Sequence, residues 1–339
     1  MLSKSFILRL TVLTLLAASP DVTLGQLARP AAEYHSLLNM RFSETGVLSL
    51  KGLQLVFPPQ GREPMLLTIS RSSGEELFRL PLRFESYSSF PVFGELAPID
   101  ELGEINLRQA GDFVLTIKIA DRAITRLPFT VRDEREGPYE MPKKFLREGP
   151  WRDLAYFSVR SDDPSANIDF NWWMSLRELQ IGMTNPLVTI RLMRGSREIA
   201  RSRDPVAPNS IDWQFFTSAL IQTRNSGPRY LTLDELTKRD GDYLLIVEAN
   251  GEPIKSYRVE VKGGQLQRPD QSRLDFEPHV DFISPRLIDT STSFSSHYPI
   301  RDVYWVRRSA VTGTFAQRWD SKTADSNAAG SKPTNQSRN

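Results

Sequence analysis

The chain has 339 residues, 40% hydrophobic and 25% charged, which is long enough for two domains with a core each. A formal net charge of +2 excludes the strongly basic profile of a nucleic-acid binder. The absence of cysteine excludes disulfides, thiol catalysis, Cys-type zinc sites and iron–sulfur clusters.

Residues 1–25 read as a secretory signal peptide. Lys4 and Arg9 charge its start, Ile7 to Ala18 is an apolar run, and Thr23-Leu24-Gly25 places a small residue before Gln26. The run is shorter than the roughly 20 residues a spanning helix needs. No membrane span is therefore expected after cleavage, an uncleaved anchor being the alternative. An exported chain without cysteine suits a bacterial cell envelope or secreted protein, so the expected location is periplasmic or extracellular.

Residues 33–131 form the first predicted domain. Leu48 to Phe57 alternates and stops at Pro58-Pro59, and Met65 to Ile69 precedes the Ser72-Ser73-Gly74 turn. Leu77 to Phe84 alternates around Pro81, which predicts an edge or bulged strand. Phe113 to Ile119, a turn at Asp121-Arg122, and Ile124 to Val131 complete a hairpin. Residues 132–153, with the charge run Asp133 to Glu136 and Pro138, Pro142 and Pro150, predict a linker with a short helix near Lys143 to Arg147.

Residues 154–263 form the second predicted domain, with strands at Ala155 to Val159, Ile168 to Leu176, Leu187 to Leu192 and Ile211 to Phe215. Its last hairpin turns at Asn250-Gly251, two residues that accept positive φ. Residues 264–339 are predicted to be irregular to disordered, with one docking strand around Val303 to Val306.

The two halves share a pattern. Gly111 to Val131 aligns without gaps on Gly241 to Val261, 130 positions later, with Gly, Asp, Leu115/Leu245, Ile124/Ile254 and Val131/Val261 identical. Neither half has a long 3.6-residue apolar period. The predicted fold class is all-β: two tandem antiparallel sandwiches of roughly seven strands.

The hairpin pattern Gly-Asp-aromatic-x-Leu, followed by a strand ending in Val, resembles the last strands of bacterial immunoglobulin-like and fibronectin-like modules. Gly46-Val47-Leu48-Ser49-Leu50-Lys51-Gly52 with the strand Met65 to Ile69 resembles an uncharacterised bacterial family of small β-sandwich proteins. The resemblance covers most of 33–131 and, more weakly, 154–261. It implies an immunoglobulin-like fold and carries no catalytic residues.

Reactive groups are sparse. His35, His279 and His297 lie at no metal-binding spacing. The pairs Asp100-Glu101-Leu102 and Asp234-Glu235-Leu236 read as Asp-capped turns with a leucine packed beneath, a carboxylate or calcium site being the alternative. No nucleophile elbow or phosphate loop is present in the sequence. No cofactor, metal or catalytic residue is assigned.

Aromatic residues carry the binding expectation. In Ile168 to Leu176 the period of two places Ile168, Phe170, Trp172, Met174 and Leu176 on the core face. Trp173 then points the other way with Asp169, Asn171 and Arg177, as a platform for a sugar ring or a protein side chain, unless the linker or C-terminal segment covers it. The expected function is a non-catalytic, exported interaction or scaffold protein, its partner another protein. Binding of envelope polysaccharide through the second domain is the first alternative, and a hydrolase using facing Asp/Glu loops the second.

Overall fold

The structure is a computed structural model that describes residues 31–32, 34–50, 52–56, 63–85, 93–99, 104–135, 137–160, 165–179, 186–224, 227–267, 286–288 and 300–309. The expected signal peptide, Asp100-Glu101-Leu102, His279, His297 and the tail after Ser309 lie outside the described residues.

The first half holds β1 (Ala31–Ala32), α1 (Tyr34–Leu38), β2 (Arg41–Phe42), β3 (Val47–Ser49), β4 (Leu53–Val56), β5 (Met65–Arg71), β6 (Glu76–Glu85), β7 (Phe93–Pro98), β8 (Glu104–Asn106), β9 (Gly111–Ile119), β10 (Arg122–Glu134) and β11 (Lys144–Glu148). Eight of these strands form one sheet in the order β1-β4-β7-β6-β5-β9-β10-β11, and β2-β3-β8 form a small second sheet. Inward residues alternate as two-residue pleating demands: Phe113, Leu115, Ile117 and Ile119 on β9 face Leu127, Phe129 and Val131 on β10, all buried. Phe113 stacks on Phe129 with ring centres 5.7 Å apart. The small sheet adds buried Phe42, Leu48 and Ile105 to the same core.

The second half holds β12 (Leu154–Arg160), β13 (Asp169–Met174), β14 (Val188–Arg194), β15 (Arg197–Ser202), β16 (Gln214–Arg224), β17 (Gly227–Tyr230), α2 (Leu233–Thr237), β18 (Gly241–Ala249), β19 (Glu252–Lys262), β20 (Gln265–Leu266), β21 (Arg286–Ile288) and β22 (Ile300–Ser309). Here the order β12-β13-β16-β15-β14-β18-β19-β22 closes on itself, because β22 pairs with β12 on one side and β19 on the other. The result is an eight-stranded antiparallel barrel. Taken in chain order, the eight strands of each half occupy the same sequence of places, 1-2-5-4-3-6-7-8. Among the described residues the first sheet is open, because no pairing joins β1 to β11; β1 has two described residues, whereas its counterpart β12 has seven.

The all-β expectation holds. Instead of two seven-stranded sandwiches, however, the described residues form an open eight-stranded sheet and a closed barrel, and nothing in this arrangement identifies either half as immunoglobulin- or fibronectin-like. β6 is internal, between β5 and β7, so the edge expectation fails, but its register against β5 shifts between Ile69 and Ser70, where Leu77 is the extra residue, so the strand is bulged, though four residues before Pro81. The expected linker is mostly sheet: β10 continues to Glu134 and Lys144–Glu148 pairs with Thr130 to Glu134 as a strand, where a helix was expected. Within 264–339, β22 is a ten-residue wall strand of the barrel, not an irregular or merely docked segment. The first hairpin turns one residue earlier than expected, at Ala120 and Asp121 with φ of 47° and 63°; the second turns at Asn250 and Gly251 with φ of 49° and 87°.

Candidate functional site

Trp173 sits where the two halves meet. Its alternation with Trp172 is as the sequence implies: Trp172 points into the barrel and Trp173 outward. Yet both are buried, Trp173 at 1% exposure. The outer wall of the barrel is covered by α1 of the first half. Trp173 lies 5.2 Å from the Phe215 ring, 6.0 Å from Tyr156 and parallel to Trp305 at 6.4 Å, and its Nε1–H donates to Asn39 Oδ1 at 3.2 Å. Of the two readings of Trp173, the open platform fails and the covered one holds, the cover being α1 together with Trp305 from the C-terminal segment.

The other expected binding residues do not converge on a surface beside it. Asp169 accepts from Arg301 Nη2 at 2.6 Å. Asn171, 4% exposed, donates to Ser158 Oγ and accepts from Thr217 Oγ1. Arg177 donates to Glu134 Oε1 at 2.9 Å, joining the second half to the end of β10. All four residues have internal partners, and a sugar ring would have to displace α1 to reach Trp173.

The seam is polar as well as aromatic. Asn39 accepts the Trp173 indole N–H, so its amide nitrogen points to His35 Nε2, 2.6 Å away, and that ring nitrogen must accept. His35 is then neutral with its proton on Nδ1, donating to the Tyr156 hydroxyl at 2.6 Å. Burial holds its pKa down at about 4. Trp151 Nε1–H donates to the Leu38 carbonyl at 2.6 Å and so caps the end of α1. His35 lies in the packed helix α1.

Two buried ion pairs brace the same region. Arg147 on β11 donates to the Met40 carbonyl at 2.8 Å and to Asp212 Oδ2 at 3.2 Å, its guanidinium 4.2 Å from the Trp151 ring centre. Burial raises the Asp212 carboxyl, opposed by Arg147 and by the backbone N–H groups of Trp213 and Phe42. Lys255, fully buried on β19, reaches the Trp173 carbonyl and Glu178 Oε2, each at 2.6 Å, and its ammonium lies 5.6 Å from the rings of Trp172 and Trp213. Burial lowers its pKa and Glu178 opposes the shift. Perturbed groups of this kind often mark catalytic sites. Here each charge is enclosed and spent on a partner across the fold, so these groups hold elements together. Sequence reasoning missed them because an isolated charge reads as solvent-facing until the element that encloses it is known.

Asp234-Glu235-Leu236 belongs to α2, and Leu236 is buried as expected. The cap is Thr232, not Asp234: its hydroxyl accepts from the Glu235 N–H while the Glu235 carboxylate accepts from the Thr232 N–H. Among the described residues no group of three or more His, Asp or Glu is placed to hold a metal.

Three surface features remain. A cavity of about 360 Å³ lies between the halves, bordered by Asp112, Phe129, Thr130, Gly149, Asp153 and Arg307. A groove of about 300 Å³ opens on the barrel beside the β14–β15 hairpin and α2. The β10–β11 hairpin carries Tyr139, 100% exposed, and Met141, 83% exposed, between Pro138 and Pro142. Comparison of the chain with protein-family models, with curated proteins and with solved structures finds no match.

Proposed function

We propose that this chain is an exported, non-catalytic interaction module of the bacterial cell envelope, built from two copies of one eight-stranded unit. The aligned hairpins and the shared strand order support the duplication. The observation that carries the function is the β10–β11 hairpin. Tyr and Met are residue types that anchor protein partners, one amphipathic and rigid, the other adaptable. Single exposed apolar residues are ordinary. Two such residues within three positions, flanked by prolines that limit the ordering entropy of the loop, suit a partner pocket better. The braced seam behind them supports a scaffold that presents this loop at a fixed place. The polysaccharide alternative loses its platform, since Trp173 is enclosed.

The test is cross-linking of the full chain in its native envelope beside a Tyr139→Ser/Met141→Ser variant. The reading requires a defined protein partner that the wild type captures and the variant loses, with unchanged thermal melting. Equal capture by both rejects the loop, and recovery of wall polysaccharide without protein moves the reading to glycan binding.

A further inference from the structure

We propose that the groove beside the β14–β15 hairpin is a binding site for a compact, multiply charged oxyanion of the phosphate class. It is independent of the Tyr139 loop, being formed by residues of the barrel alone. Its cations come from two places in the chain: Arg194 and Arg197 flank the Gly195 turn, and Lys238 and Arg239 follow α2. Two glutamates also line it, so the argument rests on where each charge is already engaged.

Glu198 is neutralised from outside the groove. Arg201 donates to it through Nε at 2.7 Å and Nη2 at 3.1 Å, and Arg191 through Nε at 3.0 Å, and these contacts, Arg201 first, hold its carboxyl below the usual range. Glu235 is engaged by the Thr232 backbone in the capping box and lies 4.0 Å from Arg229. The cations are differently placed. Arg194 is positioned rather than neutralised: its Nη2 donates to the Asp240 carbonyl at 2.8 Å and its guanidinium lies 5.7 Å from the Tyr243 ring centre. The Tyr243 hydroxyl in turn donates to the Arg239 carbonyl at 2.7 Å, tying the two cationic segments together. Arg197, Lys238 and Arg239 make no ion pair among the described residues. The groove thus gathers four positive charges, while its two negative charges are committed to Arg201, Arg191, Arg229 and a helix cap.

A concave site with this balance attracts anions, and guanidinium forks match the paired oxygens of a phosphate. Its volume, about 300 Å³, lies at the small end of ligand pockets, which suits an inorganic or singly substituted phosphate over a long polymer. Carboxylates share part of this chemistry, so the experiment separates the two sources.

Calorimetric titration of the full chain with pyrophosphate and, separately, with citrate is the test. Pyrophosphate is expected to bind at low salt, to weaken as sodium chloride rises from about 0.01 to 0.15 M through screening, and to bind at least tenfold more tightly than citrate. An Arg197→Gln/Lys238→Gln variant, changed only at exposed side chains, should melt like the wild type and lose at least tenfold in affinity. An Arg258→Gln control, on an exposed pair with Asp242 outside the groove, should bind as the wild type does. No pyrophosphate binding, or binding that both variants retain equally, overturns the proposal. Citrate binding as tightly as pyrophosphate overturns the phosphate assignment.

Discussion

The two halves place their strands in the same order, yet one closes and the other does not. In the barrel, β12 and β22 are seven and ten residues long and pair over seven positions, Leu154 to Arg160 against Arg307 to Arg301. In the first half the corresponding places are held by a two-residue strand and a five-residue strand, and no pairing among the described residues closes the gap. An open sheet exposes core that must be covered. Part of the cover is the small sheet and α1; the rest is the barrel's outer wall, since Tyr156, Trp173, Val303 and Trp305 belong to the same apolar cluster as Leu37, Leu55 and Leu115. The barrel has an interior of its own, whereas the first half completes its core with its neighbour. Strand order can thus repeat while self-sufficiency does not.

That contrast can be broken most sharply at β13. Trp172→Ala and Trp173→Ala each remove a buried indole and should each destabilise by about 3–5 kcal/mol. Their consequences should differ in place. Loss of Trp172 loosens the barrel, while loss of Trp173 uncovers the first half, so amide exchange should rise in α1 and β4. Exchange rising only in β13 and its barrel neighbours after Trp173→Ala would mean that the first half stands alone.

The next effect tests the ionic bracing. Glu178→Gln leaves the enclosed Lys255 ammonium without its carboxylate and should destabilise by about 3–5 kcal/mol in chemical denaturation. Adding Lys255→Met should recover much of that loss, because the orphaned charge is then gone. Equal stability of the single and double variants would place the bridge in water.

His35 gives the comparison a pH axis. Its folded pKa of about 4 lies below the ordinary value of 6.5, so the unfolded chain binds the extra proton first. Stability contributed by the neutral ring is complete above about pH 6.5 and is lost as pH falls towards 4, by up to about 3 kcal/mol. His35→Gln should flatten this segment of the stability curve, and an unchanged slope would remove His35 as its source.

The smallest effect concerns the hairpin turns. The barrel uses Asn250-Gly251 at positive φ, whereas the first half forces Ala120 and Asp121 into that region. Transplanting the barrel's turn as Ala120→Asn/Asp121→Gly should stabilise by about 1 kcal/mol, read as a rise in melting temperature. A fall would show that Ala120 or Asp121 makes a contact worth more than the strain.

Pleating made the strands legible. Ile168, Phe170, Trp172 and Met174 line the barrel as their alternation requires, Phe113 and Tyr243 are buried at matching places, and Asn250-Gly251 turns where two alternating runs meet. These are local consequences of chain geometry, so the chain alone carries them. The candidate site was not legible. Trp173 does alternate with Trp172 across β13, whereas Arg177 lies beyond the strand in a short 3-10 turn, and the period of two cannot say that another element will cover Trp173. α1 does so from about 135 residues away. Ring closure by β22, the neutral state of His35 and the gathering of Arg194, Arg197, Lys238 and Arg239 around one groove likewise depend on contacts between distant segments. Strand period, turn position and the all-β character are written in the chain, because they follow from neighbouring residues. Which faces are buried, which charges are spent and which remain for a ligand emerge with the packed fold, because burial and pairing belong to whatever the fold brings alongside.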